Sequence, residues 1–92
     1  MVTATDYAFA LPADLKPAKG QSLEIKLQNA GKHRHELELF APDGKAIGEV
    51  EPIDAGATGA ATFEFATPGT YRLVCGVDDH EARGMVSTVV VQ

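Results

Sequence analysis

Residues 61–75 read ATFEFATPGTYRLVC, two β-type runs on either side of a turn. In the first run Phe63 and Phe65 alternate with other residues, which is the period of a strand with one buried face. The sequence TPGT at residues 67–70 is a turn, and it leads directly into the second run, Tyr71–Cys75, which is rich in strand-forming residues. The stretch predicts two short strands that place Phe63 and Phe65 in a core.

The same pattern recurs outward along the chain. Leu23, Ile25 and Leu27 alternate with polar residues, as do Leu37 and Leu39. The further predicted strands are Val2–Ala10, Ser22–Gln28, His35–Phe40, Ala46–Val50 and Val86–Val91, with loops at 12–21 and 51–60. Turns at roughly 8–12-residue spacing are typical of a β-sandwich. We therefore predict an all-β Greek-key β-sandwich with seven or eight strands, and a single domain over residues 1–92.

Composition excludes several classes of function. The 92 residues include 8 Lys and Arg against 13 Asp and Glu, a formal net charge of −5. That balance argues against a nucleic-acid partner, which a basic face would attract. No apolar run approaches the roughly 20 residues of a membrane span, and the N-terminus lacks the pattern of a signal peptide. With one cysteine, no internal disulfide is available.

Three side chains that could bind a metal ion through sulfur or imidazole lie in residues 75–85, CGVDDHEARGM. A cysteine at the end of one predicted strand is followed by His80 in a loop and by Met85 where the next strand begins. Sulfur and imidazole ligands together favour copper, and a His₂Cys set with a distant Met is one known copper arrangement. His35, at the start of another strand, is the candidate for the second histidine.

These residues resemble the cupredoxin (blue copper) family. The resemblance rests on Asn29-x-Gly31, His35-Glu36-Leu37, Pro68-Gly69-Thr70-Tyr71-x-Leu73-x-Cys75, His80 and Gly84-Met85, and it spans almost the whole chain. It implies one type 1 copper ion that carries one electron, with His35, Cys75 and His80 as equatorial ligands and Met85 as the weak axial ligand. It also implies that the backbone N–H of Glu36 points at the sulfur of Cys75.

The resemblance further implies a periplasmic or other extracytoplasmic location and a redox partner protein. In this family the second histidine is the ligand nearest solvent. Here Asp78, Asp79 and Glu81 flank it, and Arg83 offsets one of these three negative charges, so we expect the partner to dock through a basic or mixed rim. We also expect a monomer. The family's members often carry proline beside this histidine, which this chain does not.

Other readings stay open. The chain also resembles the cupredoxin-like modules of bacterial iron uptake, which keeps a copper- or iron-handling role without redox cycling as an alternative. A metal-free interaction domain is a second alternative, because fold does not fix function.

His33 is predicted to face solvent, and Tyr71 is predicted to fasten a corner of the fold through its hydroxyl. Neither serine lies in a nucleophile-elbow context, and Cys75 is better explained as a ligand than as a nucleophile, so no enzyme is predicted.

Overall fold

The computed structural model describes residues 1–13, 15–77, 80 and 83–92, which form eight β-strands. The strands are β1 (Val2–Thr5), β2 (Ala8–Ala10), β3 (Gln21–Asn29), β4 (His35–Phe40), β5 (Ala46–Ile53), β6 (Thr58–Phe65), β7 (Gly69–Val74) and β8 (Val86–Val91). Across this described part of the chain, no helix has the length and apolar character needed to cross a membrane.

The strands form two four-stranded sheets, ordered β2-β1-β3-β6 and β5-β4-β7-β8. Strand β1 runs parallel to β3, whereas the other paired strands are antiparallel. The chain changes sheet between β3 and β4, between β5 and β6, and between β6 and β7. The predicted all-β sandwich is confirmed.

The core lies between the sheets and follows the alternation of the sequence. Along β3, Ile25 and Leu27 are buried while Glu24 and Lys26 are exposed. The fully buried large apolar side chains come from both sheets: Leu27, Leu37, Leu39, Phe63, Phe65, Tyr71, Leu73 and Met85. The inward placement predicted for Phe63 and Phe65 is confirmed.

The prediction of one strand over Val2–Ala10 is wrong. The chain reverses at Asp6 and Tyr7, and β2 pairs antiparallel with β1, with Thr5 opposite Ala8. The carboxylate of Asp6 accepts a hydrogen bond from the backbone N–H of Lys32 (3.0 Å), so this turn is held against the segment that precedes β4.

The predicted loop over residues 51–60 is also wrong at both ends. Strand β5 continues to Ile53, and β6 begins at Thr58. The small residues of this stretch resemble a loop in the sequence, but they belong to strands whose side chains are limited in size because the opposite sheet packs close to them. A Cβ on Gly59 would lie 2.8 Å from a methyl carbon of Val50, so a residue without a side chain fits there.

The predicted corner at Tyr71 is confirmed. Its side chain is buried, and its hydroxyl donates to the carbonyl of Thr67 (2.7 Å) and accepts from the N–H of Thr67 (3.2 Å). The hydroxyl thereby fastens the β6–β7 turn to the strand that carries Cys75 at its end.

Candidate metal centre

Three side chains from separate parts of the chain converge at one end of the sandwich. His35 is the first residue of β4, Cys75 follows the last residue of β7, and His80 lies in the β7–β8 connection. Because β4 and β7 are antiparallel neighbours, the start of one lies beside the end of the other. The topology alone therefore brings His35 next to Cys75.

The ligand atoms of these residues form a compact group. The Sγ of Cys75 lies 3.9 Å from Nδ1 of His35 and 3.5 Å from Nδ1 of His80. One ligand atom from each of the three residues falls within 4.8 Å of the others. All three side chains are buried, with exposures of 0%, 0% and 3% for His35, Cys75 and His80.

These spacings fit a bound metal ion. With metal–sulfur and metal–nitrogen bonds of roughly 2.3 and 2.0 Å, as zinc makes, donors at trigonal angles lie about 3.7 Å apart. The observed separations of 3.5 and 3.9 Å bracket that distance. A thiolate with two imidazoles is the soft donor set that copper favours, so the residues present fit one type 1 copper ion.

The predicted contact between Glu36 and the cysteine sulfur is confirmed. The backbone N–H of Glu36 donates to Sγ of Cys75 at 3.5 Å. The side chain of Glu36 adds a second link, because its Oε1 accepts from the N–H of Gly76 at 3.0 Å. Burial raises the pKa of the Glu36 carboxyl, although the bond from Gly76 opposes that shift.

Met85 lies beside the three-residue group through its backbone. Its carbonyl accepts from the N–H of Cys75 (3.2 Å), and its own N–H donates to the carbonyl of His80 (3.1 Å). The residue is fully buried. Its role as the axial ligand stays a prediction.

A layer of aromatic rings covers the centre. The ring of Tyr7 lies against His80 at a tilt of 59°, with centroids 5.0 Å apart, and it stacks on His33 at 5.9 Å. The guanidinium of Arg83 sits 4.9 Å from the Tyr7 ring centroid. His80 is the most exposed of the four predicted ligands, but because these rings cover it, only 3% of the residue is exposed.

Asp6 contacts the centre from the other side of His35. Its Oδ1 lies 2.7 Å from Nε2 of His35, and its Oδ2 lies 3.0 Å from Nδ1 of His33. Partial burial raises the pKa of this carboxyl, but hydrogen bonds from Lys32 and the two histidines outweigh it and hold the pKa well below its usual range. The side chain of His33 is 57% exposed, which confirms that it faces solvent.

Asn29 fixes the loop that leads into β4. Its side-chain amide donates to the carbonyls of His33 (2.8 Å) and Ile53 (3.0 Å), and its oxygen accepts from the N–H of Gly31 (3.0 Å). The turn role predicted for Asn29 and Gly31 is confirmed, and the amide also ties the end of β5 to the approach to His35.

Sequence reasoning missed Asp6 and Tyr7 as parts of this site. One signal was present, because aspartate is disfavoured inside strands and Asp6 interrupts the β-type run VTATDYAFA. The acidic rim of Asp78, Asp79 and Glu81 lies outside the described residues, so its placement stays a prediction.

Residues 1–90 match the family model of the cupredoxin-like domain. The chain belongs to the cupredoxin-like domain family. The family assignment drawn from the His35, Cys75, His80 and Met85 pattern is therefore confirmed.

Two solved structures share the fold of this cupredoxin. An auracyanin from Roseiflexus castenholzii superimposes with a TM-score of 0.80 at 17% identity, covering 99% of this chain and 94% of that one. Auracyanin A from Chloroflexus aurantiacus, a "blue" copper protein, gives a TM-score of 0.73 at 19% identity, covering 98% and 99% of the two chains.

Among characterised sequences, this cupredoxin is similar to the copper-resistant cuproprotein CopI of Rubrivivax gelatinosus. The two are 26% identical over 96 residues, which cover 88% of this chain. The matched region spans 58% of the length of that relative.

Proposed function

We propose that this cupredoxin binds one copper ion through His35, Cys75, His80 and Met85 and works as a one-electron carrier. The observation that carries the proposal is the buried group of two imidazole nitrogens and one thiol sulfur, all within 4.8 Å. When bound there, copper supplies a Cu(II)/Cu(I) couple. A single domain over residues 1–92, a monomeric state and an extracytoplasmic location belong to the same proposal.

The protein's contribution is to hold the ligands in nearly one geometry. Cys75 is restrained by the Glu36 N–H at its sulfur and by its own N–H at the Met85 carbonyl. The aromatic layer of Tyr7 and His33 keeps water from His80. A rigid, dry site changes little when the metal gains or loses an electron, which keeps the cost of transfer low.

Copper handling is the second candidate, because the similar sequence CopI is a copper-resistance protein. The two functions differ in what becomes of the reduced metal. A carrier keeps Cu(I) and returns it to Cu(II), whereas a delivery module passes the ion to an acceptor. The thiolate and imidazole donors favour copper over iron for either role.

Repeated redox cycling in the presence of a competing Cu(I) chelator separates the two. We expect the loaded protein to regain its full visible absorption after each cycle of ascorbate reduction and ferricyanide oxidation. A Met85→Leu variant serves as the matched comparison, since a weakened site should lose copper sooner. Progressive transfer of copper from the unaltered protein to the chelator would favour the handling role and contradict the carrier role.

A further inference from the structure

Asp6 is a charged residue that contacts a predicted ligand without belonging to the predicted ligand set. Asp6 lies in the turn between β1 and β2, and its Oδ1 is 2.7 Å from Nε2 of His35. That nitrogen is on the opposite side of the ring from Nδ1, which faces the sulfur of Cys75. Asp6 thus acts on His35 from the side away from the centre.

The carboxylate of Asp6 is held in place at both oxygens. Oδ1 pairs with His35, while Oδ2 accepts from the backbone N–H of Lys32 and pairs with Nδ1 of His33, each at 3.0 Å. Its side chain is 19% exposed and that of His35 is 0% exposed. Because an ionised carboxylate only accepts hydrogen bonds, the contact with Asp6 places a hydrogen on Nε2 of His35, and Nδ1 is the ring nitrogen that faces the sulfur of Cys75.

Gly31 provides the space for this contact. A Cβ at Gly31 would collide with Oδ1 of Asp6 and would lie 2.8 Å from Nε2 of His35. The backbone of Gly31 is outside the left-handed region that favours glycine, so the need here is for room. The absence of a side chain at Gly31, in the Asn29-x-Gly31 pattern, therefore leaves the space in which Asp6 contacts His35.

We propose that Asp6 is a positioning residue for the metal centre: it fixes the tautomer and orientation of His35 and lowers the reduction potential of bound copper. This inference rests on the proposed copper function. A carboxylate behind a ligand histidine raises the basicity of that ligand, and loss of such a partner typically costs about 10–100-fold in metal affinity. Negative charge near the metal stabilises Cu(II) more than Cu(I).

Two substitutions separate the charge of Asp6 from its hydrogen bonds. Asp6→Asn keeps an oxygen that accepts from His35 but loses the charge. Its NH2 group then faces the backbone N–H of Lys32, and because both groups are donors, that hydrogen bond is lost. Asp6→Ala removes the contact altogether. Asp43→Asn is the matched control: it removes the same charge in the exposed turn beyond the far end of β4, where Asp43 accepts from the N–H of Lys45.

The first readout is the reduction potential of the copper-loaded proteins by voltammetry. We expect Cu(II) affinity to fall by about 10-fold or more in both Asp6 variants, with a smaller fall for Cu(I). Each tenfold differential raises the potential by about 59 mV. A potential in Asp6→Asn and Asp6→Ala equal to that of Asp43→Asn would overturn the proposal.

The second readout needs no copper and guards against a variant that fails to fold. Nitrogen-15 NMR of the metal-free protein reports the tautomer of His35, and backbone spectra report whether each variant is folded. We expect only the Nε2–H form in the unaltered protein and in Asp43→Asn, and a mixture in folded Asp6→Ala. An unchanged tautomer in Asp6→Ala would overturn the positioning role. If the unaltered protein bound no copper, the proposed copper function would be wrong, and the NMR measurement would still show whether Asp6 fixes the tautomer of His35.

Discussion

Met85 differs from the other predicted ligands because only its backbone is placed by hydrogen bonds to the centre. As a weak axial ligand it would tune the potential and leave the thiolate in place. We therefore expect Met85→Leu to keep the visible band and to raise the reduction potential, since losing a donor disfavours Cu(II). Voltammetry and absorption of the loaded variant measure both effects. Complete loss of copper binding in Met85→Leu would contradict the axial role.

Residue identity points to the candidate ligands more clearly than to the residues that contact them. His35, Cys75, His80 and Met85 stand out because few other side chains bind soft metals, and the order of the motif is specific. Asp6 did not stand out, because its partner His35 is 29 residues away in the chain. The parallel pairing of β1 with β3 places the end of β1 beside the end of β3, from which the chain leads to His35, and no local sequence pattern predicts that pairing.

The β6–β7 connection depends on one hydroxyl. Tyr71→Phe removes the three hydrogen-bond contacts between the Tyr71 hydroxyl and Thr67 while keeping the buried ring, and we expect the unfolding free energy to fall by about 1–3 kcal/mol. Urea unfolding of the metal-free protein measures it. Tyr7→Phe is the control, because the hydroxyl of Tyr7 makes no hydrogen bond within the described part of the chain. Equal losses of unfolding free energy in Tyr71→Phe and Tyr7→Phe would contradict a stabilising role for the hydrogen bonds of the Tyr71 hydroxyl.

Strand prediction succeeded where alternation was strong and failed where packing overrode composition. β4 and β8 have the predicted bounds, since more buried and less buried positions alternate over the full length of each strand. β6 begins three residues before the predicted Ala61, because Gly59 and Ala60 pair with β3 despite low strand propensity. Propensity describes an isolated residue and carries no information about a close neighbouring sheet.

Across the whole molecule, the core includes the predicted ligands Cys75 and Met85 but consists mainly of other buried apolar side chains. Each large buried apolar side chain contributes about 1.5–3 kcal/mol, and such residues from both sheets fill the interior. We expect the metal-free protein to fold and copper to add about 2.7 kcal/mol at a free concentration one hundred times its dissociation constant. Thermal unfolding with and without chelator measures this. Phe63→Ala should cost about 3–5 kcal/mol in both forms, and unfolding caused by chelation alone would refute a metal-independent core.

Visible absorption during a Cu(II) titration of the metal-free protein tests the copper site most directly. The buried thiol of Cys75, 3.5 and 3.9 Å from two imidazole nitrogens, predicts an intense thiolate-to-copper charge-transfer band. The band should grow linearly to one equivalent and then stop, and it should be absent in Cys75→Ser. A folded protein that gives no such band, or one that gives the same band in Cys75→Ser, would contradict a site built on His35, Cys75 and His80.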